Sequence, residues 1–105
     1  MNSVSVPIEE MQAGASQACR LLKVLSNPDR LLILCRLAEG ETTVGQLEES
    51  LGIRQPTLSQ QLTVLREEAL VATRREGKHI HYRIDGPQAL AVMQVLHQQF
   101  CRQEG

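Results

Sequence analysis

Between Arg54 and Thr63 the chain reads RQPTLSQQLT. Arg54, Gln55, Thr57, Ser59, Gln60 and Thr63 all form hydrogen bonds through their side chains, and only the first is charged. A solvated helix face usually carries Glu and Lys. Short uncharged donors and acceptors suit a nucleic acid better. Gln matches the adenine edge with two hydrogen bonds, a Thr methyl meets thymine, and hydroxyls bind phosphate. A second group of reactive side chains is the thiols Cys19, Cys35 and Cys101. Their number is odd and none lies in a C-x-x-C, which argues against a permanent disulfide framework. A reactive pair, a metal site and plain small apolar packing all stay open.

Two helices and a tight turn, TVGQLEESLGIRQPTLSQQLTVLR over residues 43–66, would position the first group. Thr43 with Gln46 makes a capping box. Val44, Leu47 and Leu51 recur at helical spacing, and Gly52 can take the left-handed conformation that stops a helix. Ile53 anchors the turn. Pro56 is expected in the first turn of the second helix, where its missing N–H costs nothing. Leu58, Leu62 and Leu65 make the buried stripe, opposite the hydrogen-bonding face. An ordinary helical hairpin with a Gln-rich exterior is the competing reading.

The flanking segments extend the pattern. Residues 1–8 read as a loose start closed by Pro7. From Glu9 a helix is expected, with Met11, Ala15, Ala18, Leu22 and Leu25 as a seam that packs on the domain or on a partner chain. Cys19 beside that seam reads as a small core residue. Asn27-Pro28 opens a second helix, with Leu31, Leu34, Cys35 and Ala38 on one face and Cys35 pointing inward. After Ala69 the period changes. Leu70 to Arg75 and His79 to Ile84 predict two strands around a turn at Glu76-Gly77-Lys78. Directly after a recognition helix such a hairpin is a wing, and Arg74, Arg75 and Lys78 could meet phosphate or the minor groove. Asp85-Gly86-Pro87 turns into a last helix carrying Leu90, Met93, Leu96 or His97, and Phe100 with Cys101. Paired with the first helix it would make a two-fold dimer interface.

Composition sets the bounds. The 105 residues suffice for one domain over residues 1–105. Tyr82 and Phe100 are its aromatic residues, so the core must be aliphatic. No apolar run is long enough to span a membrane and the N-terminus lacks a secretory pattern, so a cytoplasmic protein is expected. Net charge is −1, yet residues 54–83 hold six basic against three acidic side chains and residues 1–53 hold four against seven. Positive charge therefore gathers on the segment with the reading helix. Neither a Gly-rich phosphate loop, H-E-x-x-H nor a nucleophile elbow occurs, so an enzyme is not expected, and no cofactor is implied. An interaction adaptor that merely keeps the winged shape is the reading from another class. It would lack salt-dependent duplex binding.

The stretches LSNPDRLLIL, VGQLEESLGIRQPTLSQQLTVLREEALV and TRREGKHIHYRI closely resemble the ArsR/SmtB family of small bacterial repressors. The resemblance implies a mostly helical winged helix-turn-helix with a β-hairpin. It also implies a homodimer formed through the first and last helices, bound to inverted-repeat operator DNA and released by an inducer. The family's metal sensors carry Cys-x-Cys where this chain has TVGQLEE, or paired ligands on the last helix, where this chain has His97 with Phe100 three residues on. No metal site of either common type is expected. The stretch GIRQPTLSQQL, with Cys35 and Cys101, is similar to the dithiol subgroup of persulfide- and redox-sensing repressors. That likeness assigns sensing of reactive sulfur species or oxidants to Cys35 and Cys101. His97, four residues before Cys101, marks Cys101 as the first nucleophile. The alternative keeps the family and makes a metal the inducer, held by Cys35 and Cys101 in a non-standard site.

Overall fold

The computed structural model describes residues 7–101. The loose start expected before Pro7, and Arg102 next to Cys101, lie outside the described residues. Five α-helices and three strands follow in the order α1 (Ile8–Leu25), α2 (Pro28–Ala38), β1 (Thr42–Thr43), α3 (Val44–Leu51), α4 (Thr57–Glu67), β2 (Val71–Glu76), β3 (His79–Ile84) and α5 (Pro87–Leu96). A π-helical turn, His97–Cys101, extends α5.

Helix boundaries follow from local chemistry. The Asn27 side chain accepts from the Arg30 N–H at 3.0 Å and Pro28 occupies the first turn, which starts α2. The capping box of α3 is complete: Thr43 Oγ1 accepts from Gln46 N at 3.2 Å and Gln46 Oε1 from Thr43 N at 3.1 Å. Gly52 ends α3 at φ 71°, a conformation that costs glycine nothing. After α4, Ala69 takes φ 60° and the Leu70 N–H reaches back to the Leu65 carbonyl at 2.9 Å. That six-to-one bond is the Schellman closure, here made around an alanine.

The sheet is antiparallel, in the order β1-β3-β2. The hairpin turn is tighter than the sequence suggested. Glu76 pairs with His79, so Gly77 and Lys78 alone form the turn, with Gly77 at φ 62°. The two-residue strand β1 had no periodicity to announce it. Thr42 lies opposite Tyr82 and is 1% exposed, its hydroxyl bonded to Gln46 Oε1 at 2.7 Å. One glutamine thus serves both the strand and the cap.

The core is aliphatic, as the shortage of aromatics required. Ile33, Leu34 and Leu37 of α2, Leu47 of α3, and Leu58, Leu62 and Leu65 of α4 are buried together with Tyr82 and Met93. The first helix joins this core at its end, through Val24 and Leu25, while Met11 and Leu22 of its seam stay exposed. Cys19 is also exposed, which corrects its reading as a core residue. It sits upstream of the one stretch of α1 that packs inward.

Candidate nucleic-acid interface and thiol corner

Helix α4 presents outward most of the face that the sequence marked for DNA. Arg54, Gln55, Ser59, Gln60 and Thr63 are exposed and Thr57 is half-buried, opposite the buried leucines. Helix α4 begins at Thr57, so Pro56 stands just ahead of its first turn rather than inside it, after a cis Gln55–Pro56 peptide. Pro56 offers no side-chain cap. Gln55 supplies one: its Oε1 accepts from the Ser59 N–H at 3.1 Å and also from the Ser59 hydroxyl. Thr63 Oγ1 donates to the Ser59 carbonyl at 2.9 Å. Three of the expected base- or phosphate-binding side chains are therefore ordered by bonds among themselves. Gln60 makes no side-chain bond among the described residues, so its amide is unspent.

The wing divides its basic residues by role. Arg74, Arg75 and Lys78 are all exposed. The Arg74 guanidinium, however, lies on Glu41 in a bidentate pair, with Nε at 2.9 Å from one carboxylate oxygen and Nη2 at 2.8 Å from the other. A further contact reaches Glu76 at 3.5 Å. The hydrogen bond from Arg74 holds the Glu41 carboxyl below its ordinary range. Arg74 thus fastens the wing to the segment before α3. The sequence missed this because Glu41 and Arg74 belong to separate elements.

On another side of the molecule α2, α3 and α5 enclose an open cleft of about 940 Å³, lined by Cys35, Leu51, Met93, His97 and Gln98 among others. Cys35 is half-buried and its Sγ lies 3.8 Å from the Met93 sulfur. Burial pushes the Cys35 thiol up, with the nearby Cys101 and Glu39 pushing the same way. Cys101 is exposed at the end of the π-helical turn. The regular last helix anticipated for residues 87–101 thus widens where the second thiol sits. Among the described residues, no group of three or more His, Cys, Asp or Glu is placed to hold a metal ion. None of the described helices is long and apolar enough to cross a membrane.

A capped pair of helices, a reading face and a hairpin beside it define a winged helix-turn-helix, the architecture of DNA-binding regulators. The sequence profile described as "Bacterial regulatory protein, arsR family" matches residues 27–73. The biofilm growth-associated repressor of Xylella fastidiosa is 50% identical over 96 residues, covering 91% of this chain and 84% of that protein. The crystal structure of that organism's transcriptional repressor BigR superimposes with a TM-score of 0.89 at 48% identity, over 93% of this chain and 100% of the other. The transcriptional activator HlyU of Vibrio cholerae is 37% identical over 90% of this chain and 88% of its own length. The homodimeric winged helix-turn-helix domain Mb0332 of Mycobacterium bovis matches with a TM-score of 0.68 at 32% identity, over 100% of this chain and 97% of that one. This chain belongs to the ArsR family of bacterial regulatory proteins, a family of DNA-binding transcriptional regulators and not of enzymes.

Proposed function

We propose that the chain is a cytoplasmic, homodimeric repressor that holds inverted-repeat operator DNA and releases it when Cys35 and Cys101 are oxidised by reactive sulfur species or oxidants. The observation that supports this reading is a half-buried Cys35 at an open cleft between α2 and α5, with Cys101 on the π-helical turn that extends α5. A charge on Cys101 adds to the effect of burial in pushing the Cys35 thiol up. Dimerisation through α1 and α5 is supported by the apolar side chains exposed on both: Ile8, Met11 and Leu22 on the first, Val95 and Phe100 on or beyond the second.

The bases would be met by Gln55, Thr57, Ser59, Gln60 and Thr63, and the phosphates by Arg54, Arg75 and Lys78. Arg74 would act mainly by holding the wing. In a helix-turn-helix dimer the two reading helices must lie about 34 Å apart to enter successive major grooves. A bond between α2 and the last turn would shift that spacing.

The chemistry balances with an organic hydropersulfide, RS–SH. The Cys101 thiolate attacks the outer sulfur; a Cys101 S–S bond forms, the RS–S bond breaks, and RS⁻ leaves with the electron pair. The Cys35 thiolate then attacks Sγ of the Cys101 persulfide and expels HS⁻, leaving a disulfide. The two thiols are oxidised and one sulfur is reduced to sulfide. Cys101 goes first because it is exposed, whereas burial disfavours the Cys35 thiolate. The test is operator binding by the parent, Cys35→Ser and Cys101→Ser proteins before and after an organic persulfide, with intact-protein mass read alongside. The parent should release DNA and the variants should hold it. Equal release by both variants would remove the dithiol from the mechanism.

A further inference from the structure

Arg30 links three helices. Its Nε donates to the Val24 carbonyl at 2.8 Å, one of the last-turn carbonyls that α1 leaves without a helical partner. Its Nη1 donates to Gln61 Oε1 of α4 at 3.0 Å. Its own N–H is bonded to the Asn27 cap that starts α2. A second bond joins the same two helices. Arg20, on the exposed part of α1, places Nε 2.7 Å from Glu68 Oε1 at the end of α4. Gln61 and Glu68 stand at i and i+7, on one side of the reading helix. That side is away from the proposed base-reading face: Gln61 is half-buried, whereas its neighbour Gln60 is exposed.

We propose that Arg30 and Arg20 are positioning residues for operator recognition, bracing α4 against α1 so that the pose of one sets the pose of the other. Helix α1 enters the core only near its C-terminal end, through Val24 and Leu25, with Leu21 packed against them. The upstream part therefore needs another connection to the reading helix, and Arg20 makes one. Exposed ion pairs contribute little to stability. A well-formed pair with Arg20 largely exposed is better explained by the geometry it fixes. The inference rests on α4 being the reading helix, with α1 at the two-fold interface.

The test uses the full chain and compares affinity for its operator with affinity for a random duplex of equal length. Arg20→Ala and Gln61→Leu should each lower the operator-to-random ratio roughly 5- to 10-fold, the lower range of inter-site couplings. Random-duplex binding, dimerisation and Tm should stay near the parent's. The exchange Arg20→Glu with Glu68→Arg keeps net charge and restores an ion pair, so it should recover most of the ratio lost in Arg20→Ala. Folded single variants with the parent's ratio, or an exchange that recovers nothing, would overturn the brace. A parent that prefers no duplex would instead overturn the DNA-reading assignment beneath it.

Discussion

The reading helix and the thiol corner are built in opposite ways. Every bond that orders the outer face of α4 comes from a residue within a turn of its partner: Gln55 to Ser59, and Thr63 to Ser59. Its inner face is a leucine stripe of ordinary helical period. The thiol corner has no such local logic. Cys35 comes from α2, the sulfur 3.8 Å from it from Met93 of α5, and the second thiol from the π-helical turn His97–Cys101. A recognition surface made locally survives small shifts of its neighbours. A site made from distant segments responds to them, which is what the proposed thiol switch requires.

Five changes would break or sharpen that contrast. Leu58→Ala should have the largest effect. Leu58 is 0% exposed, and such truncations cost about 2–5 kcal/mol. Urea denaturation should show the loss, and because the core is shared, DNA binding and thiol cross-linking should fail together. Loss of one alone would mean the two regions are less coupled than the core implies. Gln60→Ala should weaken operator binding by about 1–3 kcal/mol, the worth of a bidentate base contact. Titration by fluorescence anisotropy would measure this, and persulfide-driven cross-linking should continue at the parent rate.

Thr43→Ala removes half of the capping box and should cost about 0.5–2 kcal/mol of stability in a thermal melt. Its effect should stay within the helix-turn-helix. Alkylation of Cys35, followed by peptide mapping across pH, should rise at a higher pH than for an ordinary thiol, because burial penalises the thiolate. A profile like that of a free thiol would place Cys35 in water and undo the contrast. The smallest effect belongs to Glu41→Gln. The Glu41 carboxyl is held below its ordinary range by Arg74, so its stabilising share is fully present above the ordinary carboxylate value. That share is lost as pH falls through the lowered value in the folded protein. Melts of parent and variant should converge in acid.

How much could be read in advance follows the same division. The cap at Thr43, the left-handed Gly52, the leucines of α4 and the wing all depend on neighbours within a few residues, and their patterns were visible. Strand β1 was not, because two threonines carry no period and pair only with the distant Tyr82 and His81. Arg74 looked as free as Lys78 until Glu41 was found beside it. The π-helical turn had no residue that announced it. Nothing in the local pattern sets Gln61 apart from Gln60, and only the fold brings Arg30 to it.

The sequence by itself determined the family, the helix-turn-helix and which side of α4 could meet DNA. These rest on helical and strand periods and on caps, which act over one or two turns of chain. The tertiary structure alone decided that Cys35 is half-buried while Cys19 and Cys101 are exposed, that Arg74 is spent on Glu41, and that two arginines tie α1 to α4. Burial and long-range pairing depend on how elements pack, and no local spacing of residues encodes that packing directly.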